Sequence, residues 1–400
     1  MKKFLTVFII CVILIGSVFV IYRNPKLLNN ISLMISDIKG MFSSDKVEPY
    51  TSDFSINKLG IKNNSFYFNT LTEEQKIIYT AIANGVKDLS SEIDLKEYNY
   101  IDSETAMKDV EIALHKFLLD HPEVFYLEEK YSVESIETLS KTRIRLRLNY
   151  SYENMEQLNE KINEIDVIIN NIISECNIIE GESFNNEVKI HDYLGESISY
   201  YKYEKISDIP NKCHNIYGAL VEKSAVCDGI AKALQILLDR VGINSLVVSG
   251  SLKSEPHAWN LVEIDGEWYH TDLTSNKSIE SVDENVVVHS YFNITSEEIK
   301  ESHTIDEENI LPQSTSNNNN YYIKNNSYID NMSDFNPKLK SILDNNKNES
   351  LVEFKVEGIS DVPDKTIRVL RDGDYISYLD RNATKFVYYN ILDTYIIFKK

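Results

Sequence analysis

The sequence predicts an α+β protein in which a helix carrying a cysteine packs on an antiparallel sheet. Three observations carry this. From Cys227 the chain reads CDGIAKALQILLDRVGI, with apolar residues at Ile230, Ala233, Leu234, Leu237, Leu238 and Val241, the stripe of a helix with one buried face. Asp265-Gly266 separates two apolar, aromatic-rich runs and marks a two-residue hairpin turn. Long amphipathic runs and alternating runs lie on both sides of this segment, RIRLRLNYSY being an alternating one.

Taken in order, the chain opens with Lys2-Lys3 and a mostly apolar run from Phe4 to Tyr22, followed by Arg23. That run is long enough to cross a bilayer and exceeds the core of a typical cleaved signal. The reading is a signal-anchor helix over 1–23, with the lysines inside and the bulk of the chain extracytoplasmic. A cleaved secretory signal is the alternative. Residues 24–64 read as a juxtamembrane tether. An N-terminal, mostly helical module spans 65–180. Thr72-Glu73-Glu74-Gln75 opens its first helix as a capping box. AMKDVEIALHKFLLDHPEVFYL is a second helix ended by Pro122, and MEQLNEKINEIDVIINNII a long third one. His115 and His121 read as helix surface and helix end. The catalytic domain spans 181–311. LPQSTSNNNN is a low-complexity break, with the linker at 312–320. A small α/β module fills 321–400, with DFNPKLKSILDNN and PDKTIRVLRDG helical and ESLVEFKVEG and KFVYYNILDTYIIFKK as strands.

At 400 residues the chain is long enough for two or three domains, and 42% apolar content supplies their cores. A net charge of −21 argues against nucleic acid as a partner and against an anionic membrane surface for the soluble part. Cys11 lies in the apolar run, leaving Cys176, Cys213 and Cys227, an odd number consistent with one free reactive thiol. A Cys176–Cys213 disulfide would also leave Cys227 free. Cys213-His214 lacks a second Cys/His pair at zinc-site spacing, so it reads as a loop, and neither metal nor cofactor is called for.

The chemistry lies between Val226 and Asn276. Gly242 stands where a helix would stop in a left-handed conformation, which puts Cys227 at or just before the helix start. The unpaired N–H groups and positive dipole end found there favour a thiolate. A tight turn at Asp265-Gly266 sets Ile264 opposite Glu267, Val262 opposite Tyr269 and Trp259 opposite Asp272. His257, Trp259, His270, Asp272 and Thr274 then share one face. His257 and Asp272 become diagonal neighbours about 7–8 Å apart at Cα, close enough for their side chains to meet. A carboxylate there fixes the imidazole tautomer and stabilises its protonated form. Taken singly, a Cys at a helix start is an ordinary core residue and a His-Asp pair in a hairpin an ordinary surface pair. The three together, in this geometry, point to thiol chemistry.

GALVEKSAVCDGIAKALQILLDRVGI, VVSG, HAWNLVEIDGEWYHTDLT and YFNITSEEI resemble the transglutaminase-like superfamily, the papain-related cysteine acyltransferases and peptidases. EVKIHDYLGESISYY is similar to the helix that precedes the core in bacterial members. The chain differs from their usual pattern at Ile230, Ser275-Asn276 and Tyr200-Tyr201, positions around the pocket rather than in the three-residue set. The resemblance implies a papain-like core with Cys227 as nucleophile, His257 as base and Asp272 as orienting acid. The Cys227 N–H would be one oxyanion donor, and Tyr200 is the candidate for the second. The expected function is acyl transfer or hydrolysis at a peptide, isopeptide or glutamine amide by a membrane-anchored extracytoplasmic enzyme, with a peptide or protein substrate such as cell-wall peptide. The alternatives are a papain-like peptidase or amidase of the envelope, and a non-catalytic scaffold that keeps the fold.

Overall fold

The computed structural model describes residues 66–100, 103–137, 142–277, 286–349, 351–371, 375 and 388–398. The apolar run Phe4–Tyr22 and the tether lie outside them. Among the described residues no helix is long and apolar enough to cross a membrane. The chain divides into two compact units. One is Met1–Thr51 with Lys96–Asn99, described only as strand at 96–99. Apart from those strand residues, everything below concerns the other.

Helix α1 (Phe66–Thr70) leads into α2 (Glu73–Lys87), whose start is the capping box read from the sequence: Thr72 accepts from the Gln75 N–H and Gln75 reaches back to Thr72. Strand β1 (Glu92–Tyr100), α3 (Ser103–Asp120), β2 (Ser132–Glu137) and β3 (Thr142–Arg147) follow, with the strands ordered β1-β3-β2. The alternation in β3 divides as period two demands. Ile144 and Leu146 are buried, while Arg145 and Arg147 reach Glu92 and Glu134 on the flanking strands. Asp120, buried at the end of α3, accepts from the N–H groups of Tyr67 and Phe68 and from the Tyr79 hydroxyl, so it caps α1 from a distance. Helix α4 (Met155–Glu175) starts on the Asn154 cap and buries Leu158, Ile162, Ile165, Ile169 and Ile172, a strict helical stripe.

Helix α5 (Ser183–Ser197) runs into β4 (Ser199–Tyr200), which pairs in parallel with β5 (Ser224–Ala225) immediately before α6 (Cys227–Arg240). Then come β6 (Ser245–Leu252), β7 (Glu255–Ile264) and β8 (Glu267–Thr271), short helix α7 (Leu273–Asn276), short helix α8 (Ser296–Ile299) and β9 (His303–Ile305). The sheet order is β8-β7-β6-β9, antiparallel throughout. The turn at Asp265-Gly266 has positive φ at both residues and gives the expected register, with Ile264 opposite Glu267 and Val262 opposite Tyr269.

Residues 312–320, expected as a linker, are tied down in the structure. Ser314 exchanges backbone and side-chain bonds with Ser296, and Asn319 donates to Asp265 and Tyr269. Beyond them lie α9 (Tyr321–Lys324), β10 (Tyr328–Ile329), α10 (Phe335–Asn345), β11 (Leu351–Val356), α11 (Val362–Arg371), β12 (Tyr388–Ile391) and β13 (Thr394–Phe398). This second sheet runs β10-β11-β13-β12 over a core that includes Phe335, Leu339, Phe354 and Ile397. The run expected as one strand near the end is a hairpin, because Leu392 and Asp393 both take positive φ and reverse the chain.

Candidate active site

The site begins where α6 begins. Val226, in extended conformation, is the N-cap and makes no side-chain cap bond, and Cys227, partly buried, heads the helix. The loop Asn211–Asn215 presses against this start. The Val226 N–H donates to the Cys213 carbonyl at 3.0 Å, and a Cβ on Gly229 would stand 2.4 Å from that same oxygen. The glycine of Cys-x-Gly is therefore required by close approach of backbone to helix. Behind it Ile230, Ala231, Ala233, Leu234, Leu237 and Leu238 are buried, and Gly242 at φ +84° ends the run.

The hairpin supplies the partners. His257 Nε2 donates to Asp272 Oδ2 at 2.8 Å. With Nε2 so engaged, Nδ1 is the ring nitrogen left for a thiol, and Cys227 lies near enough to act on His257 electrostatically. Burial works against an imidazolium at His257, but the charge and hydrogen bond of Asp272, helped by Cys227, outweigh it and raise its pKa. Burial likewise opposes charge on Asp272, and the pairing with His257 and then His303 holds it well below the usual carboxylate range. The structure thus joins His257 to Asp272 by a hydrogen bond, with Cys227 heading the helix beside them.

Asp272 has partners that the sequence did not announce. It caps α7: Oδ1 accepts from the Ser275 N–H at 3.0 Å, and the Ser275 hydroxyl donates to Oδ2. His303, from β9, donates through Nε2 to the same Oδ2 at 3.0 Å. Thr274, expected to continue the strand face, is inside α7 because the Asp272 cap ends the strand at Thr271. His270 belongs to a separate, structural chain. The Trp259 indole N–H donates to its Nδ1 at 3.1 Å, which leaves Nε2–H for Ser296 Oγ at 3.2 Å. Burial above all, then His303, drives its pKa down to about 3, so His270 stays neutral. Trp259 also stacks on His257, at 6.1 Å between centroids and 19° between planes.

Tyr200 reaches the site because β4 pairs with β5 just ahead of Cys227, Tyr200 lying opposite Ala225. Burial first, then the charge at Cys227, pushes its phenol above the ordinary range, so it stays a neutral donor. Cys176, Cys213 and Cys227 are all free thiols. Burial raises Cys176 to about 11 and also raises Cys213, which keeps both as thiols near neutral pH. Cys213-His214 lies in a helical turn, where His214 meets Asp228 at 3.0 Å and Glu129 at 3.3 Å.

Three groups of described residues come close enough to hold a metal ion: His257-Asp272-His303, Glu129-His214-Asp228 and His191-Asp192-His289. Each is cross-linked by its own hydrogen bonds. In the last, Asp192 Oδ1 takes both imidazoles at 2.9 Å, while Asn276 holds the other nitrogen of His191 and Glu353 the other nitrogen of His289. Asn276 also accepts from the Tyr291 N–H, so this network braces the turn that carries Asp272.

Residues 178–273 match the family model described as the transglutaminase-like superfamily. This segment is a transglutaminase-like domain. The match takes in β4, α6 and the hairpin through Asp272 and stops short of β9. No curated protein matches the chain. Among solved structures, a TGase crystal structure is 17% identical over 37% of this chain and 44% of its own, with a TM-score of 0.24. A proposed cysteine protease from Cytophaga hutchinsonii is 14% identical over 36% of this chain and 62% of its own, TM-score 0.23. A proposed protease from Parabacteroides distasonis is 12% identical over 36% of each chain, TM-score 0.23. In each case the matched region spans less than two thirds of the solved chain.

Proposed function

We propose that the protein is a cysteine enzyme that cleaves an amide by acyl transfer through Cys227, His257 and Asp272. The observation that supports this most is His257 held between the thiol at a helix start and a buried carboxylate. The Cys227 thiolate attacks a peptide, isopeptide or glutamine amide carbonyl. The oxyanion is met by the Cys227 N–H and the Tyr200 hydroxyl. Imidazolium His257 gives its proton to the departing amine or ammonia, leaving a thioester. His257, now neutral, takes a proton from water or from an acceptor amine as that nucleophile attacks the thioester, and Cys227 leaves as thiolate.

Alkylation by iodoacetamide tests the reading. Near neutral pH Cys227 should react faster than Cys213 and Cys176, and Cys227→Ala should abolish the fast label. Equal, slow labelling of all three would turn the reading into a scaffold that keeps the fold. Transfer and hydrolysis separate on one donor substrate, by comparing incorporation of an added amine with release of free acid.

Lys2-Lys3 and the run Phe4–Tyr22 support an extracytoplasmic enzyme anchored by its N-terminal segment and acting on envelope peptide or protein. Protease added to intact cells should then degrade the catalytic domain. Protection from that protease would place the enzyme in the cytoplasm.

A further inference from the structure

Asp272 serves two imidazoles. His257 and His303 both donate to Oδ2, at 2.8 and 3.0 Å. His303 is buried on the edge strand β9, opposite Leu252 of β6. A chain of hydroxyls meets its other ring nitrogen: the Tyr291 hydroxyl donates to Ser302 Oγ at 3.2 Å, Ser302 Oγ lies 2.8 Å from His303 Nδ1, and the His303 Nε2–H points to Asp272. The ring is wedged against Trp259 at 4.9 Å and Tyr291 at 5.5 Å, with the His257 ring at 5.4 Å. A glycine makes this approach possible: a Cβ on Gly250 would lie 2.0 Å from the Thr304 carbonyl and keep β9 off β6.

Orientation of Asp272 does not depend on His303. The carboxylate is already locked as the α7 cap by the N–H and hydroxyl of Ser275. What His303 adds is a competing donor on the oxygen that holds His257. We infer that His303 is a positioning residue that acts through Asp272: as a second N–H donor on Oδ2 it draws off part of the carboxylate's hold on His257 and so keeps the imidazolium acidic enough to protonate the leaving group. The inference rests on the proposed roles of Cys227, His257 and Asp272. The titratable groups that face this arrangement are His257 from β7, His270 from β8, His303 from β9, and Tyr291 with its neighbour Glu301, while Cys227 of α6 faces His257 and Tyr200 of β4 faces Cys227.

The test is the pH profile of Cys227 alkylation by iodoacetamide in the intact protein, read by mass spectrometry with Cys213 as internal standard. His303→Met removes the donor and fills the space. Asp272 then grips His257 more strongly, the thiolate–imidazolium pair forms more readily, and the acid side of the profile moves down by about 0.5–1 pH unit, a gain of roughly three- to tenfold in rate at a pH on that slope. Turnover of an amide substrate should fall in kcat with KM unchanged, because a more basic imidazole is a poorer acid. His303→Gln restores an N–H donor and should return the profile toward wild type. An unshifted profile, or a shift to higher pH, in His303→Met would overturn the inference. If that variant does not fold, a profile for His303→Gln displaced from wild type would overturn it instead. Should wild-type Cys227 react no faster than Cys213, the triad reading itself falls. An activated wild-type Cys227 with unresponsive His303 variants removes only this inference.

Discussion

Replacing Glu187 by glutamine should stabilise the transglutaminase-like domain at neutral pH. Glu187 lies on α5, fully buried, with Oε2 accepting from the Asn293 amide at 2.7 Å and Oε1 3.1 Å from Thr271 Oγ1, the residue before Asp272. Burial above all raises its pKa from 4.5 to about 8, against the lowering effect of the Asn293 and Thr271 bonds. The neutral acid suits the site: its O–H can donate to Thr271 Oγ1, which donates in turn to Asn293 Oδ1 at 3.1 Å. A carboxyl whose folded pKa is raised contributes stability that is complete below about 4.5 and is lost as pH climbs to about 8, because the unfolded chain ionises first. At about 1.4 kcal/mol per pH unit, the wild type forfeits on the order of 3 kcal/mol by pH 7 and under about 1 kcal/mol at pH 5. Glutamine keeps one donor and one acceptor and never ionises, so Glu187→Gln avoids the loss. With urea slopes of about 1–3 kcal/mol/M, the variant's midpoint should exceed wild type by roughly 1–3 M at pH 7 and by far less at pH 5. The two tryptophans, Trp259 and Trp268, both lie on the β7–β8 hairpin, so their fluorescence reports this domain rather than its neighbours. A gap between variant and wild type that stays the same from pH 5 to pH 8 would refute proton linkage at Glu187, as would a variant less stable than wild type at pH 7.

Three further outcomes follow from the same geometry. Asp272→Asn keeps the α7 cap and the fold but lowers kcat by orders of magnitude, since an amide cannot stabilise the imidazolium; circular dichroism alongside single-turnover kinetics checks both halves. Tyr200→Phe lowers kcat by about 100-fold while Cys227 alkylates at the wild-type rate, because alkylation forms no oxyanion; equal loss in both would make Tyr200 a support for the thiol instead. Gly250→Ala drives a Cβ into the Thr304 carbonyl, 2.0 Å away, and should cost about 1–3 kcal/mol in urea unfolding while displacing His303 from Asp272; an unchanged midpoint would mean β9 moves freely.

How much of this was legible beforehand depends on the range of the force involved. The start of α6 and its buried stripe follow from residues three and four apart, and the capping box at Thr72 from residues three apart. The His257–Asp272 encounter follows from one turn. Asp265-Gly266 fixes the register, and period two does the rest. Two other hairpins use equally tight turns with positive φ at both residues, but at Lys253-Ser254 and Leu392-Asp393. Neither pair favours that conformation intrinsically. The residue pattern gives no turn signal at the first and reads as a continuous strand at the second. There the sheet imposes the turn, as the pairing on either side compensates for the strain.

The sequence by itself determined the chemical parts and their local placing: a thiol at a helix start, an imidazole and a carboxylate on one hairpin face. Tertiary structure alone decided what surrounds them. His303 meets Asp272 from 31 residues away, and Asn293 meets Glu187 from 106. Those pairings depend on β9 joining the far edge of the sheet and on α5 covering the turn after β8. Periodicity and turn chemistry act over a few residues and cannot encode which distant side chain fills a buried donor or acceptor. That choice is made when the layers close and every polar group they enclose must find a partner.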